Sequence, residues 1–238
     1  MTRFVFPVLA AACLAAPLAA FPPPREKPED RSPDATKAHW DASSSNLKRI
    51  GLACHYYHDA HGHLPSNVLD AKGKPLLSWR VLLLPYLKEE KLSQQFKMDE
   101  AWDGPTNKPL LEKMPKVFAP VRVKGRLGMT FYQGFSGPDA IFDPKTSEVR
   151  LAQVADGTAN TCLAVEAGTA VEWTKPADLP FDPKKELPKL GGLFDGEFNM
   201  LMCDGSVMAV RKDYHAETMK NVVMKNDGTV INLEMIRR

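Results

Sequence analysis

The chain reads as an α+β domain in which a long N-terminal helix packs on an antiparallel β-sheet. Two observations predict this. Apolar residues near the start of the domain recur at helical spacing, and beyond Val117 the pattern changes to short alternating runs separated by Gly-, Pro- and Asp-rich turns. Helices that precede the strands, rather than alternate with them, argue for α+β over a parallel α/β sheet.

The helix is predicted from about Thr36 to His61. Leu47, Ile50, Cys54 and Tyr57 fall at three- and four-residue steps and line one stripe, while Lys48, Arg49, His55 and Asp59 turn away. Gly62 offers a left-handed cap and Pro65 blocks continuation. The run Leu76–Leu84 is apolar enough to be buried, with Ser78 capping a short helix that Pro85 kinks or restarts. A polar helix is expected over Lys88–Phe96, and another from near Pro105, capped by Asp103, ending before Pro115.

Strands are predicted at Met129–Phe135, Thr161–Glu166, Met200–Cys203, Ser206–Arg211 and Thr229–Leu233. Asp204-Gly205 reads as a two-residue hairpin turn with positive φ at both positions, and Asp227-Gly228 as a second hairpin. Thr174–Gly192, rich in proline and lysine, reads as a long surface loop.

Ahead of the domain, Met1-Thr2-Arg3 precedes an almost unbroken apolar stretch from Phe4 to Ala20, the form of a secretory signal peptide cleaved after Ala20. A retained membrane anchor and a lipid anchor on Cys13 are the alternatives. Residues 21–34 read as a solvated Pro- and charge-rich linker, and residues 35–238 as one domain. The expected location is therefore the periplasm, cell surface or exterior. Removing Cys13 leaves Cys54, Cys162 and Cys203, so at most one internal bridge can form, with Cys162 and Cys203 as neighbours; buried small apolar roles are the other reading. A net charge of +2 gives no field able to neutralise many phosphates, which argues against nucleic-acid binding.

Four ordered blocks carry a family resemblance. They are Asn46-Leu47-Lys48-Arg49-Ile50-Gly51-Leu52-Ala53 running on to Tyr57-His58-Asp59-Ala60-His61-Gly62; Leu77-Ser78-Trp79-Arg80 through Pro85-Tyr86-Leu87; Asp156-Gly157-Thr158-Ala159-Asn160-Thr161 with Glu166; and Asn199 through Asp204-Gly205-Ser206-Val207. Over about residues 43–211 the chain resembles the planctomycete pseudopilin-like family called domain of unknown function 1559, also labelled bacterial extracellular solute-binding family 10. The resemblance implies a pilin-like fold. Its C-terminal signature is His, nine residues, then Asp-Gly; here the histidine position is Phe194. The family's Cys-Pro after the helical half is Ala119-Pro120, and its prepilin leader with a continuous hydrophobic helix is replaced by the signal-like segment and linker.

His55, His58 and His61 recur at three-residue steps beside Asp59 and His63, so they are the weak candidates for a metal site. Steps of three drift around a helix, which lets adjacent pairs share a metal but makes a three-histidine site awkward; capping the helix end is the alternative. Asp156, Asp204 and Glu166 are the candidate acid–base carboxylates, with turn roles for the two that precede glycine and pairing with Arg80 for Glu166. Trp79 and Trp173 are candidates for stacking on a sugar, or core residues. No serine elbow, Cys–His signature, phosphate-cradling loop or His-Glu-x-x-His helix is present, so no cofactor or catalytic residue is expected.

The expected role is a non-enzymatic envelope protein, a structural or interaction module whose partner is another envelope protein or a second copy, with membrane contact only if the N-terminal segment is retained. A ligand-binding module is the second expectation, and a metal-dependent enzyme using His55, His58 and Asp59 the third. N-terminal sequencing of the exported protein is expected to begin at Phe21; a blocked, lipid-modified or intact N-terminus would contradict cleavage after Ala20.

Overall fold

A computed structural model describes residues 33–122, 127–146 and 148–238. The signal segment 1–20, Cys13 and residues 21–32 of the linker lie outside the described residues. Helix α1 spans Pro33–His61 and begins two residues inside the expected linker. Proline suits a first helical turn, because that turn's N–H groups have no intrahelical acceptor. Gly62 closes the helix at φ +80, its N–H donating to His58 O at 2.7 Å.

After α1 come a small hairpin of β1 (Val68–Leu69) and β2 (Pro75–Leu77), then α2 (Trp79–Leu82), whose Ser78 cap accepts from the Arg80 N–H as expected. Pro85–Leu87 restarts as a 3-10 turn. The polar helix is shorter than expected: α3 covers only Glu90–Ser93. The helix placed after Pro105 is instead a 3-10 stretch, Lys108–Lys113, and Asp103 does not cap it. The buried Asn107 precedes it and spends its side chain bridging to Lys97, Glu100 and Ala101.

The main sheet has four antiparallel strands in the order β3 (Met129–Gln133), β5 (Cys162–Glu172), β7 (Phe198–Met202), β8 (Val207–Val210). Two-residue strands β4 (Phe135–Ser136) and β6 (Leu179–Pro180) form a separate parallel pair. Helix α4 (Ala216–Val223), unforeseen from the sequence, follows the sheet.

Both faces of the sheet are covered. Leu201, Cys203, Leu163 and Ala164 join the α1 stripe in one core, while Phe198, Met200, Met202, Met208 and Val210 join Met219, Val222 and Val223 of α4 in another. Along β7 that split follows the two-residue alternation of a strand and leaves all five positions buried, while in β5 a break in register puts both Leu163 and Ala164 in the first core. Leu47, Ile50 and Cys54 are fully buried and Tyr57 is nearly so, which realises the stripe read from their spacing. Gly51 lies on the same side for a steric reason. A Cβ there would sit 2.7 Å from Leu201 Cδ1 and 3.3 Å from Gly205 Cα, so only glycine lets the helix backbone pass this close to the hairpin.

Three further expectations are corrected. At the Asp204-Gly205 turn only Gly205 has positive φ, and its N–H donates to Met202 O at 3.0 Å, the pattern of a type I turn closed by a left-handed glycine. No strand forms over 229–233, because the Asp227 and Gly228 amides donate to Asp156 instead of closing a hairpin; Val230 is 97% exposed, with nothing for an alternating face to pack on. The 174–192 segment is not a plain surface loop, since β6 lies within it and Thr174, Leu179, Phe181 and Leu190 are buried.

Full burial of a side chain like Leu47 is worth about 1.5–3 kcal/mol, and removing it also leaves a cavity. Leu47→Ala is expected to lower stability by about 2–5 kcal/mol in urea denaturation. Lys48→Ala, one residue along on the exposed side, should change it by no more than about 0.5 kcal/mol.

Candidate functional site

Two buried polar centres hold the layers together, and Asn46, Trp79, Arg80, Glu166 and Asn199 of the motif blocks belong to them. The first lies between α1 and the sheet. Glu166 of β5 sits directly across from Tyr132 of β3, and both are fully buried. Ser43 of α1 donates to Glu166 Oε1, and Asn199 of β7 supplies its backbone N–H to Oε2 at 2.6 Å and its amide to Oε1 at 3.4 Å. The Tyr132 hydroxyl is 2.8 Å from Ser43 Oγ and 3.4 Å from the Asn46 amide that donates to it. With the carboxyl ionised, every proton in the relay from Asn46 through Tyr132 and Ser43 has an acceptor. Burial nevertheless favours the neutral acid, and it pushes Glu166 up to about 7 against the hydrogen bonds from Ser43 and Asn199.

Arg80 is not the partner of Glu166, contrary to the sequence reading. Its partner is Asp178, 3.2 Å away, with both side chains entirely buried. This second centre is well satisfied: Arg80 Nε donates to Tyr132 O at 2.8 Å and Nη1 to Ser78 Oγ at 2.6 Å. Asp178 Oδ1 also accepts from Trp79 Nε1 and from the Gly134 amide, and Oδ2 accepts from Asn67. Burial pulls the Arg80 pKa down and Asp178 opposes it. Nothing in the local sequence marks Asp178, because Lys-Pro-Ala-Asp-Leu-Pro reads as exposed loop.

The remaining motif residues build turns. Asp156 accepts from the amides of Asp227 and Gly228, so it ties down a distant turn rather than its own. Asn160 donates to Asp156 O, and Thr158 O accepts from the Asp204 N–H, which docks this block on the β7–β8 hairpin. Asp204 accepts from Ser206 two residues on, as its turn reading requires.

The histidines are placed apart in their roles. His58 Nε2 meets the Leu151 N–H at 3.3 Å, and His61 stacks on Tyr57 with centroids 4.0 Å apart. His55 packs beside Gly205, and Asp59 is exposed near His58 at 3.9 Å. Among the described residues no group of three or more His, Cys, Asp or Glu is arranged to hold a metal. Trp79 and Trp173 are core residues: Trp79 stacks on Phe142, and Trp173 on Phe118 with its N–H donated to Leu111 O. Both indoles are fully buried, so neither is offered to a sugar. Cys54, Cys162 and Cys203 are free and buried, with burial raising the pKa of each.

The sign of the Glu166 contribution follows from its raised pKa. The folded state holds the proton more tightly than the unfolded chain, so the stabilisation is complete below about pH 4.5 and is lost as pH rises through about 7. For a group this buried the loss is on the order of a few kcal/mol. Denaturation midpoints are expected to fall across this window in the parent and to stay flat in Glu166→Gln; equal slopes in both proteins would contradict the assignment.

No curated protein and no solved structure matches the chain. A family model does match, from within α1 through α2, α3 and the 3-10 stretch Lys108–Lys113. It covers the first two blocks of the resemblance and stops before the blocks at 156–166 and 199–207. Over residues 42–122 the chain is thus matched to the family described as a protein of unknown function (DUF1559).

Proposed function

We propose that this chain is a non-enzymatic exported envelope protein of pseudopilin-like type, a structural or interaction module. One observation carries the reading: α1 is clamped to the sheet by its inner stripe, and its outer side presents Leu52 and Tyr56 one turn apart, 52% and 50% exposed. Apolar side chains adjacent on an outer helix face are suited to contact with another protein. The candidate acid–base residues support it too, since Glu166, Asp156 and Asp204 are each engaged in hydrogen bonds that hold the fold. A photo-cross-linking residue placed at Tyr56 in living cells should give discrete adducts with an envelope protein or a second copy. Cross-linking no stronger than at an exposed control such as Lys72 would contradict the reading.

A second reading, a solute-binding module outside the cytoplasm, is favoured by the family's solute-binding label and by an open cleft at the start of α1. Here a thermal-shift screen of sugars, amino acids and organic acids should reveal a stabilising ligand. Saturation at a hundred times Kd adds about 2.7 kcal/mol, which raises the Tm of a domain of this size by roughly 5–10 °C.

A further inference from the structure

The first turns of α1, the 191–197 turn and Arg238 enclose an open cleft of about 920 Å³. Trp40 and Phe194 form its apolar wall, with ring centroids 4.7 Å apart. A guanidinium lies against each ring: Arg122 is 5.5 Å from the Phe194 centroid and Arg238 is 5.0 Å from that of Trp40. Lys212 adds a further, exposed cation to a lining that also carries Asp41, Asp195 and Glu197, the last of these 3.4 Å from Arg238.

Arg122 is the unusual member. Its side chain is only 4% exposed, yet among the described residues it is short of partners. Nη1 donates to Leu193 O at 2.9 Å, whereas the nearest carboxylate, Asp195 Oδ2, is 3.6 Å away and belongs to a side chain that is 65% exposed. Nε is buried without a hydrogen-bond partner. A guanidinium has five N–H donors and a permanent charge, and a buried donor left unmade costs about 1–3 kcal/mol. Asp195, mostly in water and beyond hydrogen-bond distance, compensates that charge only in part.

We propose that this cleft binds a small organic carboxylate bearing a flat apolar group. The carboxylate supplies the counter-charge that Arg122 lacks, and the flat group lies against the Trp40–Phe194 wall. Lys212 draws the anion in from solvent. Arginine's planar fork suits a carboxylate, and the rings already stacked on both guanidinium groups restrict how those forks can turn. The proposal rests on the solute-binding reading and gives it a site and a ligand class.

The test is calorimetric titration of the purified full chain at pH 7.5 with N-acetyltryptophan, using N-acetyltryptophanamide and sodium sulfate as controls. The acid should bind at least tenfold more tightly than the amide, and sulfate should not displace it. Arg122→Gln should weaken the acid at least tenfold, and Trp40→Ala and Lys212→Glu about threefold each. Lys212 is exposed, so its variant keeps the test decisive if Arg122→Gln fails to fold. Equal binding of acid and amide, binding of sulfate alone, or parent-like affinity in Trp40→Ala and Lys212→Glu would each overturn the site. Tm shifts by other solutes with no response to the acid would overturn this ligand chemistry while leaving the solute-binding reading standing; no shift with any solute would remove both.

Discussion

The contact of α1 with β7 joins the helical front of the chain to its stranded back. Leu47, Ile50, Cys54 and Tyr57 meet Leu201 and Cys203 in one core, and Gly51 lets the helix backbone reach the β7–β8 hairpin at Gly205. From Ser43 to Tyr57 the helix rises about 21 Å, comparable to the roughly 17–20 Å of an ordinary strand, so one stripe is long enough to cross a small sheet. The turns before Ser43 are left to do something else, and Trp40 there packs on Phe194 to form the wall of the cleft.

Apolar contact is non-directional, so the stripe alone would allow the helix to slide along the sheet. The Glu166 network supplies direction: Ser43 and Asn46 on α1, Tyr132 on β3 and Asn199 on β7 each meet the same buried cluster. A shift of α1 by one residue would rotate Ser43 about 100° away and leave the carboxyl without its hydroxyl donor. The price is a carboxyl held out of water with no cation beside it, which is why burial dominates its pKa.

What could be read from the sequence was what depends on neighbours along the chain. The α1 stripe, the Gly62 cap, the Ser78 cap and the β7–β8 hairpin are each set by residues a few positions apart, and each is present. The misreadings share a different cause. Asp227-Gly228 looked like a hairpin because nothing local reveals that Asp156, 71 residues earlier, takes those amides. Asp178 looked exposed for the same reason, since its partner Arg80 is 98 positions away. Glu166 reads from the sequence as a partner for Arg80, and its actual partners, Ser43 and Asn199, depend on how α1 and β7 are placed against β5, which no local pattern reveals.

Arg80 and Arg122 show how a fold separates a fully paired buried charge from a partly paired one. Arg80 has a carboxylate 3.2 Å from Nη2, a carbonyl at Nε and a hydroxyl at Nη1, and it lies over the Trp79 ring, so each of its three nitrogens has a partner inside the fold. Arg122 is almost equally buried, but among the described residues it has one hydrogen bond, to a carbonyl, and a distant, exposed acid. The first sits where α2, β3 and the 174–179 segment meet, and removing Asp178 would leave an uncompensated charge in the core. The second sits where packing ends and an open volume begins. A buried cation whose charge is only partly compensated, at the wall of an open cleft, is where an anion from solvent gains most by binding alongside it.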